Sequence, residues 1–264
     1  MSALTGRVPA GHYRFRQVAR MEWIKLRTLR STWTALAITA VGGAVMAVVI
    51  GLNTISRSSD LTNNVLAGVI PGLLLIGVLG VLVMTTEYTS GMIRATLAAI
   101  PRRPLLLAGK AAVFGAASLV VGEAAAFLAF FAGGAALRHG LSAPSLSQPG
   151  VLRAIVLGGA CYCLIGLLGL GLGAIIRHTA AAIAVLVAGV FLIGMIIGAA
   201  ARGVAAYLPV FIIGNSLTTA KPPSCAGAAQ CVHFLSPWTG LAVLGLYAAA
   251  ALAIGGWLLV RRDA

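Results

Sequence analysis

The chain has 264 residues, 60% of them hydrophobic and only 9% charged, with a formal net charge of +14. Ordinary soluble domains carry roughly 25% charged residues, so this composition excludes a chain that covers itself with a water-facing surface. The 19 Lys and Arg oppose five acids, and they lie between long uncharged blocks rather than on one soluble face with stacking aromatics. That pattern excludes nucleic acid as the partner and reads as topology signals at a lipid bilayer.

No shift in composition marks a linker, so we divide the chain into an N-terminal segment, 1–30, and one transmembrane domain, 31–264. No signal peptide is expected, because the first uncharged block begins near Ser31 after a basic stretch and is too long. Within the first segment, His12 to Arg30 predicts an amphipathic helix lying on the membrane. Phe15, Val18, Leu26 and Leu29 share a narrow arc at a hundred degrees per residue, and the basic residues point elsewhere. Glu22 falls on the apolar arc, where an unpaired carboxylate is expensive. It either pairs with an Arg or Lys of the same side or snorkels at the interface.

Six blocks are long enough to cross a bilayer at about 20 residues each: 32–52, 66–86, 108–132, 154–176, 180–200 and 238–260. The predicted fold class is an all-α integral membrane protein. Gly68/Gly72 and Gly194/Gly198 have the spacing for close helix approach, a spacing that chance also produces in a chain with 33 glycines. Between the second and third blocks, the connection 87–110 contains Met92, Ile93, Leu97 and Ile100 at amphipathic spacing, with Pro101 and Pro104 to end a short helix. Between the fifth and sixth, the connection 201–237 holds an apolar run, Tyr207 to Ile213, too short to span and suited to a re-entrant or interfacial helix.

Orientation follows from the positive-inside rule. Arg57, Arg138, Arg153, Arg202 and Lys221 fall on one side and the other Lys and Arg on the opposite side, which places both termini in the cytoplasm and makes 201–237 extracellular. Cys225 and Cys231 then face an oxidising exterior, where a disulfide is favoured over free thiols and would stabilise the loop by about 2 kcal/mol. Cys161 and Cys163 read as small buried side chains. No zinc site is expected, since His233 is the single further ligand near the outer cysteines.

Catalytic chemistry is sparse. The acids Glu22, Asp60, Glu87, Glu123 and Asp263 are scattered, and neither a Gly-x-Ser-x-Gly elbow nor a His-Glu-x-x-His pair occurs. The stretch before Lys110 fails as a phosphate loop, with Pro104 in place of the first glycine and Ala111 in place of Ser or Thr. An enzyme is not expected. Glu123 is the acid placed well inside a span, where a charge is costly and a functional role is the default hypothesis. Its alternative is a shifted span that leaves it off centre.

Four stretches carry a resemblance. MEWIKLRTLRSTW at 21–33, EYTSGMIRATLAAIPRRPLLLAGK at 87–110, LGLGLGAIIRHTAAAI at 168–183 and SPWTGLAVLGLYAAAALAIGGWLLVRRDA at 236–264 resemble the permease subunits of bacterial type-2 ABC exporters of actinobacterial character. The likeness covers nearly the whole chain after about residue 15. It implies a bacterial inner-membrane permease that pairs with a second copy or a related permease and with two ATP-binding subunits. ATP and Mg would be bound there, and no cofactor by this chain. It also implies that Glu22 and Lys25 belong to a helix lying along the membrane. Glu87, Gly91, Arg94, Thr96 and Leu97 match the loop that couples to the ATPase, with Arg102 and Arg103 following it.

Two other functions share parts of this pattern. A proton-coupled secondary transporter would use Glu123, although no internal repeat of the kind common in such folds stands out. A non-transporting immunity or sensor subunit would carry the same motifs. The Ala, Gly, Leu and Val of the spans suit an amphipathic or apolar cargo such as a drug, antibiotic, peptide or lipid, without selecting one.

Overall fold

The computed structural model describes residues 14–28, 30–55, 60–100, 102–137, 141–219 and 234–261. Among them the chain is helical and contains no strand. Cys225, Cys231 and His233 lie outside the described residues, as do Leu29, Arg57, Pro101, Arg138 and Lys221. In chain order the helices are α1 (Phe15–Thr28), α2 (Arg30–Asn53), α3 (Leu61–Leu66), α4 (Val69–Thr89), α5 (Met92–Ala99), α6 (Arg103–Ala135) and α7 (Val151–Ile176). Then come α8 (Thr179–Leu186), a π-helical segment (Val187–Leu192), α9 (Ile193–Ala200), α10 (Arg202–Ala205), α11 (Pro209–Leu217) and α12 (Pro237–Arg261).

Six helical stretches are long and apolar enough to cross a membrane: Arg30–Asn53, Leu61–Thr89, Arg103–Ala135, Val151–Ile176, Thr179–Gly198 and Pro237–Arg261. They are the six blocks expected, each close to its expected position, and they make a multi-pass membrane protein. Two are irregular. The second breaks at Ala67 and Gly68, where Ala67 N–H donates back to Asn63 and Asn64, and Pro71 just beyond supplies no backbone donor. The fifth carries the π segment, whose wider turn shifts the register of the side chains that follow.

Packing is arranged around α7. Its apolar window is 67% buried, against 28% for α2 and for α12, so α7 is the core and the other two present most of their surface outward. Helices α4 and α7 meet backbone to backbone. A Cβ on Gly80 would collide with the Gly166 carbonyl, and one on Gly169 with the Gly77 carbonyl. Without a hydrophobic drive inside lipid, such small-residue crossings supply the dispersion contact that holds helices together. Beside them the buried Tyr162 hydroxyl donates to the Val69 carbonyl at 3.0 Å, in space that Gly72 leaves open.

The two ends of the bundle are tied differently. At one end Asp60 caps α3 by accepting from Thr62 N–H and Asn63 N–H at 3.1 and 3.2 Å. The same carboxylate accepts from Thr218 Oγ1 and Thr219 N–H, both at 2.6 Å. Arg153 donates to the Thr218 carbonyl at 2.7 Å, so α3, α7 and the chain after α11 are pinned together. The apolar run after Tyr207 forms α11, which packs on α12 and α7. At the opposite end lie the starts of α2 and α6 and the ends of α4, α7 and α12. There Arg103 donates to Leu259 O at 2.8 Å and Arg177 to Leu258 O at 3.3 Å. These cations meet the unsatisfied carbonyls and negative dipole end of α12.

Candidate functional site

The strongest concentration of chemistry lies at this second end, between α1, α4 and α6. Helix α1 buries Val18, Glu22 and Leu26, residues at i, i+4 and i+8 that form one stripe. Phe15, expected on that stripe, is 46% exposed. The stripe brings Glu22 inward beside Glu87, near the end of α4, and Lys110, two turns into α6. Lys110 Nζ donates to Glu22 Oε2 and to Glu87 Oε1, each at 2.8 Å. Lys25 Nζ donates to Glu87 Oε1 at 3.0 Å and to Glu22 Oε1 at 3.2 Å.

Two lysines and two glutamates thus close a ring whose formal charges cancel. Glu22, Glu87 and Lys110 are 5%, 5% and 3% exposed. Burial this complete makes each charge costly alone, and the arrangement is tolerable because every charged group has an opposite partner. Burial by itself would lower the pKa of the Lys25 ammonium. Glu22 and then Glu87 outweigh it and hold the pKa above the ordinary lysine value.

A small apolar cluster adjoins the ring. Val18 of α1, Ile93 of α5, Ile100 just after it and Leu106 of α6 are buried together, with Met21, Tyr88, Leu97 and Leu105 packed around them. The start of α5 depends on Gly91, whose φ of 70° is a conformation that side chains with a Cβ rarely adopt. Because the helix turns Ile93, Thr96 and Leu97 inward, Met92, Ala95 and Ala98 are left exposed. Met92, expected among the inward residues, is 49% exposed.

The residues singled out from sequence therefore separate. Glu22, Lys25 and Glu87 meet in the ring. Thr96 and Leu97 support α5 from inside, with the Thr96 hydroxyl donating to the Met92 carbonyl at 3.0 Å. Arg94 lies within α5. Arg102 is exposed at the start of α6 and Arg103 holds the end of α12. Pro104, expected to end a helix, sits in the first turn of α6, where a missing N–H is harmless. Glu123 stands far along α6, half-buried against α7. A Cβ on Gly159 would lie 2.6 and 2.7 Å from its two oxygens. Two flanking cations take on more than a topology role. Lys110 closes the ring, and Arg177 lies 5.2 Å from the centre of the Tyr88 ring.

No protein-family model matches the chain, and no curated protein matches it. The site brings two carboxylates and two ammonium groups together, each paired with an opposite charge. What it does mechanically is join the surface helix α1 to the ends of two spans, so that a displacement of any one is felt by the others.

Proposed function

We propose that this chain is the membrane-spanning permease subunit of an ATP-driven exporter of the type-2 ABC architecture, in a bacterial inner membrane. Both termini and the Glu87 end face the cytoplasm in this reading, which rests on the positive-inside distribution of Lys and Arg. ATP hydrolysis takes place in separate companion subunits, and a second permease copy or a related permease completes the path.

The observation that supports it is the block at the Glu87 end. The buried ring fixes α1 to α4 and α6, the apolar cluster fixes α5 to the same three helices, and the outer face of α5 stays uncovered. A permease with no engine needs such a block. Closure of two ATPases pushes on α5, and a rigid joint carries the push into α4 and α6. Each transport state is then favoured by its own contacts with the companion.

One observation favours a second reading, a proton-coupled secondary transporter. The Glu123 carboxyl lies within the third span, where an ionisable group marks a proton or ion path by default.

The two are separated by placing a photo-reactive benzoylphenylalanine at Ala95, Ala98 or Ile93. The exporter reading expects Ala95 and Ala98 to cross-link an ATPase subunit carrying a phosphate loop, and the inward Ile93 not to. Labelling of an Ala95→Cys variant from outside intact cells by an impermeant maleimide, above the level of the parent chain, would overturn it.

A further inference from the structure

The charges of α1 divide between two faces. Glu22 and Lys25 turn to the ring, whereas Arg14, just before the helix, Arg16 and Arg20 are exposed and form no ion pair among the described residues. These arginines line a groove of about 740 Å³ between α1 and α6. The two helices lie close together there, since a Cβ on Gly109 would come 2.6 Å from Val18 Cγ1. On the α6 side the groove is formed by Ala112, Val113 and Ala116, short side chains that leave a furrow along the span. Leu119 and Val120, 39% and 69% exposed, continue the same face. The apolar track from Ala112 to Val120 therefore climbs about 12 Å along the helix. Trp23 also lines the groove, and tryptophan favours the boundary between headgroups and hydrocarbon. No acid is among the residues that form it.

We propose that this groove binds one anionic glycerophospholipid, with its phosphate on Arg16 and Arg20 and an acyl chain laid along α6 over Ala112 and Ala116. Arg16 and Arg20 stand one turn apart on the same side of α1, and guanidinium N–H groups match phosphate oxygens in pairs. The charge of the headgroup follows from the lining. A zwitterionic lipid would bring an ammonium among the arginines with no carboxylate to receive it, whereas an anionic one meets only cations. A soluble phosphate ester would satisfy the arginines and leave the apolar track on α6 unused, so the lipid is the occupant that engages both. The site is contained within one copy of the chain and does not depend on the transport reading.

The full chain in a nonionic detergent is titrated with dioleoyl phosphatidylglycerol, dioleoyl phosphatidylcholine or sn-glycerol 3-phosphate, and native mass spectrometry counts what each copy holds. One phosphatidylglycerol per chain should bind at least about tenfold more tightly than phosphatidylcholine, a ratio that two arginines beside an anionic headgroup suffice to give. Glycerol phosphate should not bind at the same concentrations. Arg16→Gln combined with Arg20→Gln should bring phosphatidylglycerol down to the phosphatidylcholine level. Arg261→Gln removes an exposed cation at the same end of the bundle, on α12, and should leave the preference intact. Ala116→Trp fills the furrow without touching a charge. It should weaken phosphatidylglycerol binding at least about tenfold while the helical circular dichroism stays unchanged. Equal affinity for the two lipids would overturn the proposal, as would glycerol phosphate binding as tightly as phosphatidylglycerol. So would a preference that survives the double Gln variant or Ala116→Trp, or one that falls equally with Arg261→Gln, the mark of a diffuse cationic surface.

Discussion

Replacing Lys110 by Met tests the ring where it is most enclosed. Lys110 is 3% exposed and holds Glu22 Oε2 and Glu87 Oε1 at 2.8 Å. Met keeps most of the side-chain volume and removes the charge, leaving two buried carboxylates to share Lys25, whose side chain is 28% exposed. Breaking a buried ion pair from one side destabilises by about 3–5 kcal/mol, because the remaining charge has lost its compensation. The variant should unfold that much more readily in an SDS titration followed by circular dichroism. Adding Glu87→Gln removes the surplus negative charge, so the double variant should be more stable than the sum of the single losses by about 1–3 kcal/mol. A loss below about 1 kcal/mol for Lys110→Met, or strict additivity in the double variant, would refute the idea that the four groups act as one unit.

Three further outcomes follow from the packing and the charges. Gly80→Leu would drive α4 from the Gly166 carbonyl and should destabilise by about 1–3 kcal/mol; Gly245→Ala, in open space on α12, should be neutral or stabilising by up to about 1 kcal/mol, both read in the same SDS titration. Asp60→Ala removes the α3 cap and the bonds to Thr218 and Thr219; a loss of about 1–3 kcal/mol is expected, with faster hydrogen exchange at Thr62, Asn63 and Thr219 and none of that change in α1 or α5. The raised pKa of Lys25 means that its contribution is complete below the unfolded lysine value and is lost as pH rises through the higher folded value. An alkaline melting profile should therefore fall in that window, and Lys25→Met should flatten that part of it.

What could be read in advance was whatever one helix settles alone. The six spans announce themselves by length and lack of charge, and α1 by the arc of Val18 and Leu26. Glu22 interrupts that arc with a carboxylate in need of a partner, and its partners are Lys25 and Lys110. Lys110 itself is not legible in this way. In sequence it is one more flanking cation, and only its isolation inside the run LLLAGKAAVFG signals that it must turn inward to a carboxylate. The glycines at 77, 80, 166 and 169 were hidden among many others, since which of them meet depends on how α4 and α7 cross. The start of α3 was legible in Asp60 and the polar Thr-Asn-Asn that follows, which together form an N-cap and first turn. The π segment has no comparable signature in its residues.

The most direct measurement is isolation of the tagged full chain from its native membrane in a detergent that preserves helicity, followed by mass spectrometry and an ATPase assay. The account predicts an equimolar companion that carries a phosphate loop and hydrolyses ATP, lost when Ala95 and Ala98 are both replaced by Arg. A chain recovered folded but alone, or a companion retained by the double Arg variant, would contradict it.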